Sequence, residues 1–288
     1  MASRHWLGYA LLTTLAWGVW GAFTGVPSEN GFPDTLTYVV WAAVMVLPAA
    51  WALRKVGWQV RHDPRSVALG LAIGLLGAGG QLILFRAVTM GPPYLIFPIV
   101  SLSPAVTILL SLLLLGERTG RLGIAGIVLA LASLPLFDYS PEGGAHFGMW
   151  FVLSVAIMVA WGLQAYYIKL ANATMDAESI FAYMALSAVL LIPGAWLLTD
   201  FSRPIQTGLA GPWLAALIQM LNAVGALLLV YAFRYGKAIV VSPLINAGAP
   251  LLTTAISLGL AGTLPGIYKL AAAALALLGA VLLSLQPE

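Results

Sequence analysis

Two tryptophans near the middles of long apolar stretches are each followed, three residues later, by another side chain able to hydrogen-bond. Trp17 precedes Trp20, and Trp161 precedes Gln164. A spacing of three residues places both side chains on one face of a helix. An indole offers a broad apolar surface and one N–H donor, whereas an amide offers donors and acceptors. The pattern predicts a cavity wall for an aromatic or aliphatic group, although packing between helices would use the same residues.

Further uncharged polar side chains lie inside apolar stretches. Tyr38 and Trp41, also three residues apart, extend the aromatic wall. Amides and hydroxyls supply donors and acceptors without strong net charge, which suits a zwitterion such as an amino acid. In hydrocarbon the same groups also join helices by hydrogen bonds, so a packing role stays open for each. The predicted substrate-binding residues are Trp17, Trp20, Tyr38, Trp41, Gln81, Tyr94, Ser101, Trp161, Gln164, Asn222, Ser242 and Asn246.

Four prolines interrupt two of the apolar stretches at corresponding positions. They are Pro98, Pro104, Pro243 and Pro250. Proline removes a backbone hydrogen bond and releases a carbonyl group. Paired interruptions in two repeats indicate the binding site of a transporter. We therefore predict broken helices or hinges at these prolines, and a structural kink is compatible with either.

The composition identifies the elements that must position these residues as membrane helices. The 288-residue chain is 61% hydrophobic and 8% charged, whereas soluble domains are about 25% charged. This disfavours a soluble enzyme and excludes disorder. The absence of cysteine removes thiolate metal sites and cysteine nucleophiles. With no Asp, Glu or His at the centre of an apolar run, we expect no catalytic residues, no metal site and no cofactor.

Ten apolar runs are each long enough to cross a bilayer, which takes roughly 20 residues. Their Leu, Ala and Gly content favours helices over the short alternating segments of a membrane barrel. We predict an all-α integral membrane protein with ten transmembrane helices. These spans, numbered 1 to 10, lie at 7–26, 34–53, 66–88, 92–114, 120–137, 147–170, 179–199, 211–234, 238–261 and 266–284.

The basic residues predict the orientation of the chain. All of the 13 Lys and Arg residues except Arg86, Arg203 and Lys269 fall on the side of the N-terminus. Short loops rich in Lys and Arg remain in the cytoplasm. Both termini are therefore expected to be cytoplasmic. The basic residues form no stripe, so nucleic acid is not an expected partner.

An internal repeat divides the chain into residues 1–140 and 141–288. Ala16-Trp17-Gly18 recurs as Ala160-Trp161-Gly162. At a spacing of about 145 residues, further matches pair Gly91 with Gly236, Pro98 with Pro243, Pro104 with Pro250, Gly116 with Gly262 and Gly120 with Gly266. Each half has five spans, so the two halves cross the membrane in opposite directions. The sequence thus predicts two inverted five-helix repeats around a central cavity, an architecture typical of secondary transporters.

The chain resembles the drug/metabolite transporter superfamily, EamA type. Phe85-Arg86-Ala87, Gly91, Pro98, Pro104 and Leu115-Gly116-Glu117 carry the resemblance. The second half departs from it, because Gly262-Thr263 replaces the Gly-Glu pair. Within the superfamily the chain resembles the aromatic amino-acid exporters of the YddG type. The resemblance implies a bacterial inner-membrane exporter of amino acids, embedded in lipid, as a monomer or homodimer.

The scarcity of charge inside the spans bears on mechanism. A charge at a helix centre costs at least about 2.5–3.5 kcal/mol, so buried ionisable groups normally mark ion or proton pathways. Glu117 stands at the end of span 4 beside Arg118, where an ion pair or a packing anchor is expected. We therefore predict alternating access without an embedded proton-carrying carboxylate. A carrier or multidrug exporter for another neutral or cationic small metabolite, or a channel, stays open.

Overall fold

A computed structural model of the chain describes residues 5–90, 96, 99–137, 148–262 and 266–285. These residues form helices joined by short turns, with no strand among them. The principal helices are α1 His5–Phe23, α2 Asp34–Lys55, α3 Pro64–Met90, α4 Ser103–Leu114, α5 Arg121–Phe137, α6 Met149–Ala171, α7 Ala177–Leu190, α8 Leu214–Tyr235, α9 Ala238–Ala261 and α10 Ile267–Ser284. Shorter helical segments lie at Val26–Glu29, Ile192–Leu197 and Leu209–Trp213.

Among the described residues, six segments are long and apolar enough to cross a membrane. They contain α1, α2 and α3 from the first half and α6, α7 and α8 from the second. The other apolar helices are α4, α5, α9 and α10, of which α9 is as long as the helices of these six segments. Membrane crossing by these four helices, and the inverted orientation of the halves, stay predictions.

The predicted broken helices have different local structures. The chain turns at Ser101 and Leu102, so α4 starts at Ser103 and Pro104 lies in its first turn. Helix α9, by contrast, continues through Pro243 and Pro250. Pro98 lies outside the described residues. Proline fits the first turn of a helix because the N–H that it lacks has no intrahelical acceptor there.

The two halves pack on each other through equivalent helix pairs. Helix α1 packs on α8 and α9, and its counterpart α6 packs on α3 and α4. Helix α2 contacts α7 and α8, and its counterpart α7 contacts α2 and α3. Each of these contacts made by a helix of one half has an equivalent made by its counterpart in the other half, as expected for two copies of one five-helix unit.

The equivalence extends to single hydrogen bonds at the closest helix crossings. The Thr253 hydroxyl donates to the Gly18 carbonyl at 2.9 Å, and the Thr107 hydroxyl donates to the Gly162 carbonyl at 3.1 Å. A Cβ at Gly18 would lie 2.6 Å from the Leu252 side chain, and a Cβ at Gly162 would lie 2.5 Å from the Val106 side chain. Each of these side chains directly precedes the threonine. Small residues allow this close approach of helix backbones, and the hydroxyl bonds reinforce it.

The two central tryptophans also occupy equivalent positions. Trp17 on α1 lies against Gly225 of α8, and Trp161 on α6 lies against Gly80 of α3. Each indole N–H donates, at 3.2 Å, to the backbone carbonyl three residues before that glycine. A side chain at either glycine would overlap the indole ring. Both tryptophans are therefore held between the halves by shape and by one hydrogen bond.

Replacing Gly80 by alanine should lower the free energy of unfolding, because the added methyl group overlaps the Trp161 ring. Overpacking of this kind costs about 1–3 kcal/mol. Gly79→Ala is the matched control, since a Cβ at Gly79 meets no heavy atom within 4 Å. Thermal melting of both variants in detergent checks the prediction. Equal melting temperatures for the two variants would contradict the contact.

Candidate functional site

A cavity of about 210 Å³ lies between α1, α2, α3 and α8. Its aromatic walls are Trp20, Tyr38 and Trp41. Uncharged polar side chains also line it, and these are Thr24, Thr37, Gln81, Gln219 and Asn222. Three of the helices belong to the first half of the chain and one to the second. The cavity is therefore built at the contact between the halves.

Asn222 on α8 organises one wall of the cavity. Its side-chain Oδ1 accepts a hydrogen bond from the Trp41 indole at 3.0 Å, and its backbone carbonyl accepts one from Trp17 at 3.2 Å. The indole is a donor only, which identifies the atom facing Trp41 as oxygen. With Oδ1 engaged, the amide offers its Nδ2 as a donor to the cavity.

Tyr38 stabilises the aromatic wall by a hydrogen bond to a neighbouring helix and by its contact with Trp41. Its side chain is only 1% exposed, and its hydroxyl donates to the Ala188 carbonyl of α7 at 3.1 Å. The Tyr38 and Trp41 rings meet edge to face, with their centroids 5.2 Å apart. Such edge-to-face pairs are favourable beyond the apolar area that they bury. The Trp41 ring is thus positioned both by Tyr38 and by Asn222.

Gln219 joins the second half to the end of α1. Its Oε1 accepts from the Trp20 indole at 3.0 Å, and its Nε2 donates to the Thr24 hydroxyl at 3.3 Å. The side chain is 4% exposed. Gln219 is not among the site residues predicted from the sequence. Its spacing of three from Asn222, on one face of α8, is the signal that identifies it.

The cavity also holds a carboxylate and a hydroxyl that the sequence-based choice of residues did not include. Asp34 lies in the first turn of α2 and Thr37 one turn later. Thr37 is 5% exposed, and its hydroxyl has no hydrogen-bond partner among the described residues. Gln81 is half-buried and lines the same cavity. The lining thus combines an acid, a hydroxyl residue and an amide.

Trp161 and Gln164, predicted as binding residues, lie outside the lining of this cavity. Trp161 donates to the Gly77 carbonyl of α3, and the Gln164 side chain lies against Gly77 itself. Both residues fill the contact between α3 and α6. Trp17 borders the cavity only through its bond to the Asn222 backbone. A direct role in substrate binding for these three residues stays a prediction.

The remaining predicted residues belong to α4 and α9 or lie outside the described residues. Ser242 is buried on α9, and its carbonyl accepts from the Asn246 amide at 2.9 Å. Ser101 lies in the turn before α4. Tyr94 is outside the described residues. The structure therefore brings together five of the predicted residues around this cavity, namely Trp20, Tyr38, Trp41, Gln81 and Asn222.

Glu117 forms a junction of helix ends away from the cavity. Its carboxylate accepts from the backbone N–H groups of Ala238, at 3.1 Å, and Ile239, at 3.0 Å, where α9 begins. Lys169 Nζ lies 3.9 Å from the carboxylate and donates to the Phe233 carbonyl at 3.1 Å near the end of α8. A negative charge at a helix start and a positive charge at a helix end are both favourable. The pair therefore joins the ends of α4, α6, α8 and α9.

Glu117 has no acidic counterpart in the second half. Gly116 and Gly262 follow α4 and α9 and share a left-handed conformation, with φ angles of 64° and 62°. The residue after Gly262 is Thr263, which lies outside the described residues. The backbone that ends the two helices is thus repeated, whereas the acidic side chain occurs only in the first half of the sequence.

Comparison with known proteins identifies both halves. Residues 4–137 and 147–285 each match the EamA-like transporter family. One solved structure, named only as the crystal structure of a protein, has a TM-score of 0.76 at 21% identity, over 96% of this chain and 98% of that one. At that identity the likeness shows the fold alone. No curated protein matches the sequence. Two matches to one family fit a two-repeat layout in a multi-pass membrane protein.

Substituting Glu117 should destabilise the junction of helix ends in a graded way. Glu117→Gln keeps the shape but removes the charge, and Glu117→Ala removes both acceptors of the α9 N–H groups. Hydrogen bonds to charged groups contribute about 1.5–3 kcal/mol and neutral ones about 0.5–1.5 kcal/mol. Melting temperatures in detergent should therefore fall from wild type to glutamine to alanine.

The matched control for this series is Glu29→Gln, because Glu29 is an exposed acid in a short helical segment. We expect its melting temperature to equal that of the wild type. A Glu117→Ala protein as stable as Glu29→Gln would show that the carboxylate does not anchor α9.

Proposed function

The chain belongs to the EamA-like transporter family, and we propose that it exports amino acids, aromatic and other neutral ones, across a bacterial inner membrane. Transport of small metabolites through a membrane, rather than catalysis, is the activity of this family. The choice of amino acids as substrates, the direction and the membrane are the proposal. The observation that carries it is the cavity between the halves, where indole walls and amide groups face the same space.

The composition of the cavity supports an amino acid as substrate. Trp20 and Trp41 offer apolar surface to an aromatic or aliphatic side chain. The Asn222 and Gln81 amides offer N–H donors to a carboxylate without placing a full positive charge in the membrane. The volume of about 210 Å³ is smaller than the roughly 300–1,000 Å³ of pockets for drug-sized ligands. A small metabolite therefore suits the cavity better than a multidrug substrate.

The position of the cavity supports alternating access. Secondary transporters with two repeats bind substrate between the repeats and expose it by moving one against the other. Here Gln219 and Asn222 come from α8, while the aromatic walls come from α1 and α2. Displacement of α8 relative to α1 breaks the hydrogen bond to Trp20, and displacement of α8 relative to α2 breaks the one to Trp41. Substrate binding and the relative position of the halves are thus coupled by the same side chains.

The ends of the helices indicate which side the cavity faces in this conformation. The lining includes Thr24 at the end of α1 and Asp34 at the start of α2, which lie on the non-cytoplasmic side in the predicted orientation. The Glu117–Lys169 junction holds helix ends together on the predicted cytoplasmic side. We propose that this is the conformation open away from the cytoplasm.

The proposed energy source is the gradient of the substrate itself. No Asp or Glu stands at the centre of a span, and Asp34 reaches the cavity from the first turn of α2. A carrier of this kind exchanges labelled for unlabelled substrate without an imposed proton gradient. Asp34 is the residue to test for any proton dependence, because its carboxylate lines the cavity.

Counterflow of labelled phenylalanine in proteoliposomes tests the proposal. Wild-type protein should exchange it without a pH gradient, and Asn222→Ala should raise the half-saturation concentration about tenfold or more. That loss corresponds to a hydrogen bond to a charged group, worth about 1.5–3 kcal/mol. Gln59→Ala is the matched control, since Gln59 is an exposed amide in a turn and should transport normally.

Two results would contradict the proposal. Nucleosides or quaternary amines that compete better than any amino acid would favour a carrier of another metabolite. Exchange that occurs only under an imposed pH gradient would overturn the mechanism. Gln164→Ala tests whether the predicted binding residues outside the cavity contact the substrate. If the cavity binds substrate, this variant keeps its half-saturation concentration, because Gln164 packs against α3.

A further inference from the structure

We propose that Asp34 and Thr37 form a subsite for a protonated amine, which deepens the proposed function and rests on it. Both residues line the cavity from α2, Asp34 in the first helical turn and Thr37 one turn later. A carboxylate supplies negative charge and acceptor oxygens, and a hydroxyl supplies one further acceptor. An ammonium group brings one positive charge and three N–H donors. The pair therefore matches a primary amine better than a quaternary one, which has no N–H donor.

The Thr37 hydroxyl is the independent evidence for a ligand. The residue is 5% exposed, lines the cavity, and has no hydrogen-bond partner for its Oγ1 among the described residues. A buried hydroxyl without a partner costs folding free energy, so native structures rarely keep one. A threonine in a helix commonly bonds the carbonyl one turn earlier, as Thr13 does with Tyr9. Thr37 does not, so a residue that lines the cavity keeps a buried hydroxyl without a partner among the described residues.

The charge of the lining favours a cation at this end. Asp34 is the one ionisable acid of the described lining, and no lysine, arginine or histidine belongs to it. A single carboxylate beside aromatic walls attracts a positive group and repels an anion. The aromatic faces of Trp20 and Trp41 add to this attraction, since indole rings favour nearby cations. A substrate that carries only a carboxylate would leave the Asp34 charge without a partner.

The spacing along α2 places the donors for a carboxylate close to the amine subsite. Asp34, Thr37, Tyr38 and Trp41 follow the spacing of one helix face, and Trp41 is bonded to Asn222. Thr37 and Trp41 are four residues apart, a rise of about 6 Å along the helix. Asn222 therefore contacts α2 about one helical turn beyond Thr37. An α-amino acid carries its ammonium and its carboxylate on one carbon atom, so neighbouring subsites for the two groups suit it.

The position of Asp34 at a helix start has a structural explanation that does not extend to Thr37. An acid in the first turn is favourable to the helix dipole. That interaction would be equally good in a helix with an apolar residue at position 37. The unpartnered hydroxyl of Thr37, a residue that lines the same cavity, is what distinguishes an amine subsite from a helix-capping acid.

Three analogues with the same phenylethyl group separate the amine from the carboxylate in a competition assay. Labelled phenylalanine is exchanged in proteoliposomes against phenethylamine, which has only the amine, and 3-phenylpropionate, which has only the carboxylate. N-methylation of phenethylamine to its quaternary form removes the N–H donors but keeps the charge. For the wild type we expect phenethylamine to compete at least tenfold better than either of the other two compounds.

The variants locate this preference on α2. Asp34→Asn should weaken competition by phenethylamine at least tenfold and leave that by 3-phenylpropionate unchanged or stronger. Thr37→Val, which is close to threonine in shape, should weaken phenethylamine severalfold, and Thr37→Ser should restore it. Asp200→Asn is the control, because Asp200 is an exposed acid bonded to Ser202 outside the cavity. Its competition profile should equal that of the wild type.

Thermal stabilisation in detergent keeps the subsite and the proposed function distinguishable. If wild-type protein exchanges phenylalanine but Asp34→Asn and Thr37→Val show the wild-type preference for amines, the subsite is wrong and the function stands. If phenylalanine is not exchanged but phenethylamine raises the melting temperature of the wild type and not of Asp34→Asn, the function is wrong and the subsite stands. If neither compound is exchanged or stabilises the wild type, both are wrong.

Discussion

The close crossing of α1 with α9, and of α6 with α4, is the constraint on which the rest of the structure depends. Gly18 and Gly162 bring the helix backbones together, and the Thr253 and Thr107 hydroxyls bond to their carbonyls. Within a membrane, apolar side chains gain little by leaving lipid for protein, so association relies on close packing and hydrogen bonds. Because each crossing joins one half of the chain to the other, these two contacts determine how the halves face each other.

The cavity arises where the repeated arrangement differs in its side chains. Position 20 in the first half is a tryptophan, and its equivalent in the second half is Gln164. The residue opposite Gln164 is Gly77, whereas the equivalent of Gly77 is Asn222. The amide of Gln164 packs directly on Gly77, so α3 and α6 close on each other. On the other side Trp20 and Asn222 leave space between the helices, which the amide and aromatic groups line.

Polar groups in the apolar interior fall into two classes with different consequences. Gln219, Tyr38 and the two central tryptophans have partners within the protein, and such bonds hold the helices in place. The Thr37 hydroxyl lacks one within the described residues. Unsatisfied groups in a low-dielectric interior are costly. The Ser111 and Ser187 hydroxyls are unpartnered within the described ranges as well, but Thr37 differs from them because it lines the cavity, and the proposed subsite rests on that difference.

The sequence by itself determined the features that depend on local spacing and composition. Apolar runs, the internal repeat and the equivalent positions of Trp17 and Trp161 follow from residue types along the chain, because helix length and helix face are set by local periodicity. The sequence also identified Trp41 and Asn222 as polar groups inside spans. It could not show that these two bond to each other, since they are 181 residues apart.

Only the tertiary structure decided which polar residues share a cavity. Gln164 is the repeat equivalent of Trp20, yet it fills a helix contact because Gly77 lies opposite it. Asp34 stands at the end of a span, where an acid is unremarkable in sequence, but the packing of α1, α3 and α8 around α2 places it on the cavity. The physical reason is that a side chain's surroundings depend on which helices pack beside it, and local periodicity does not encode that choice.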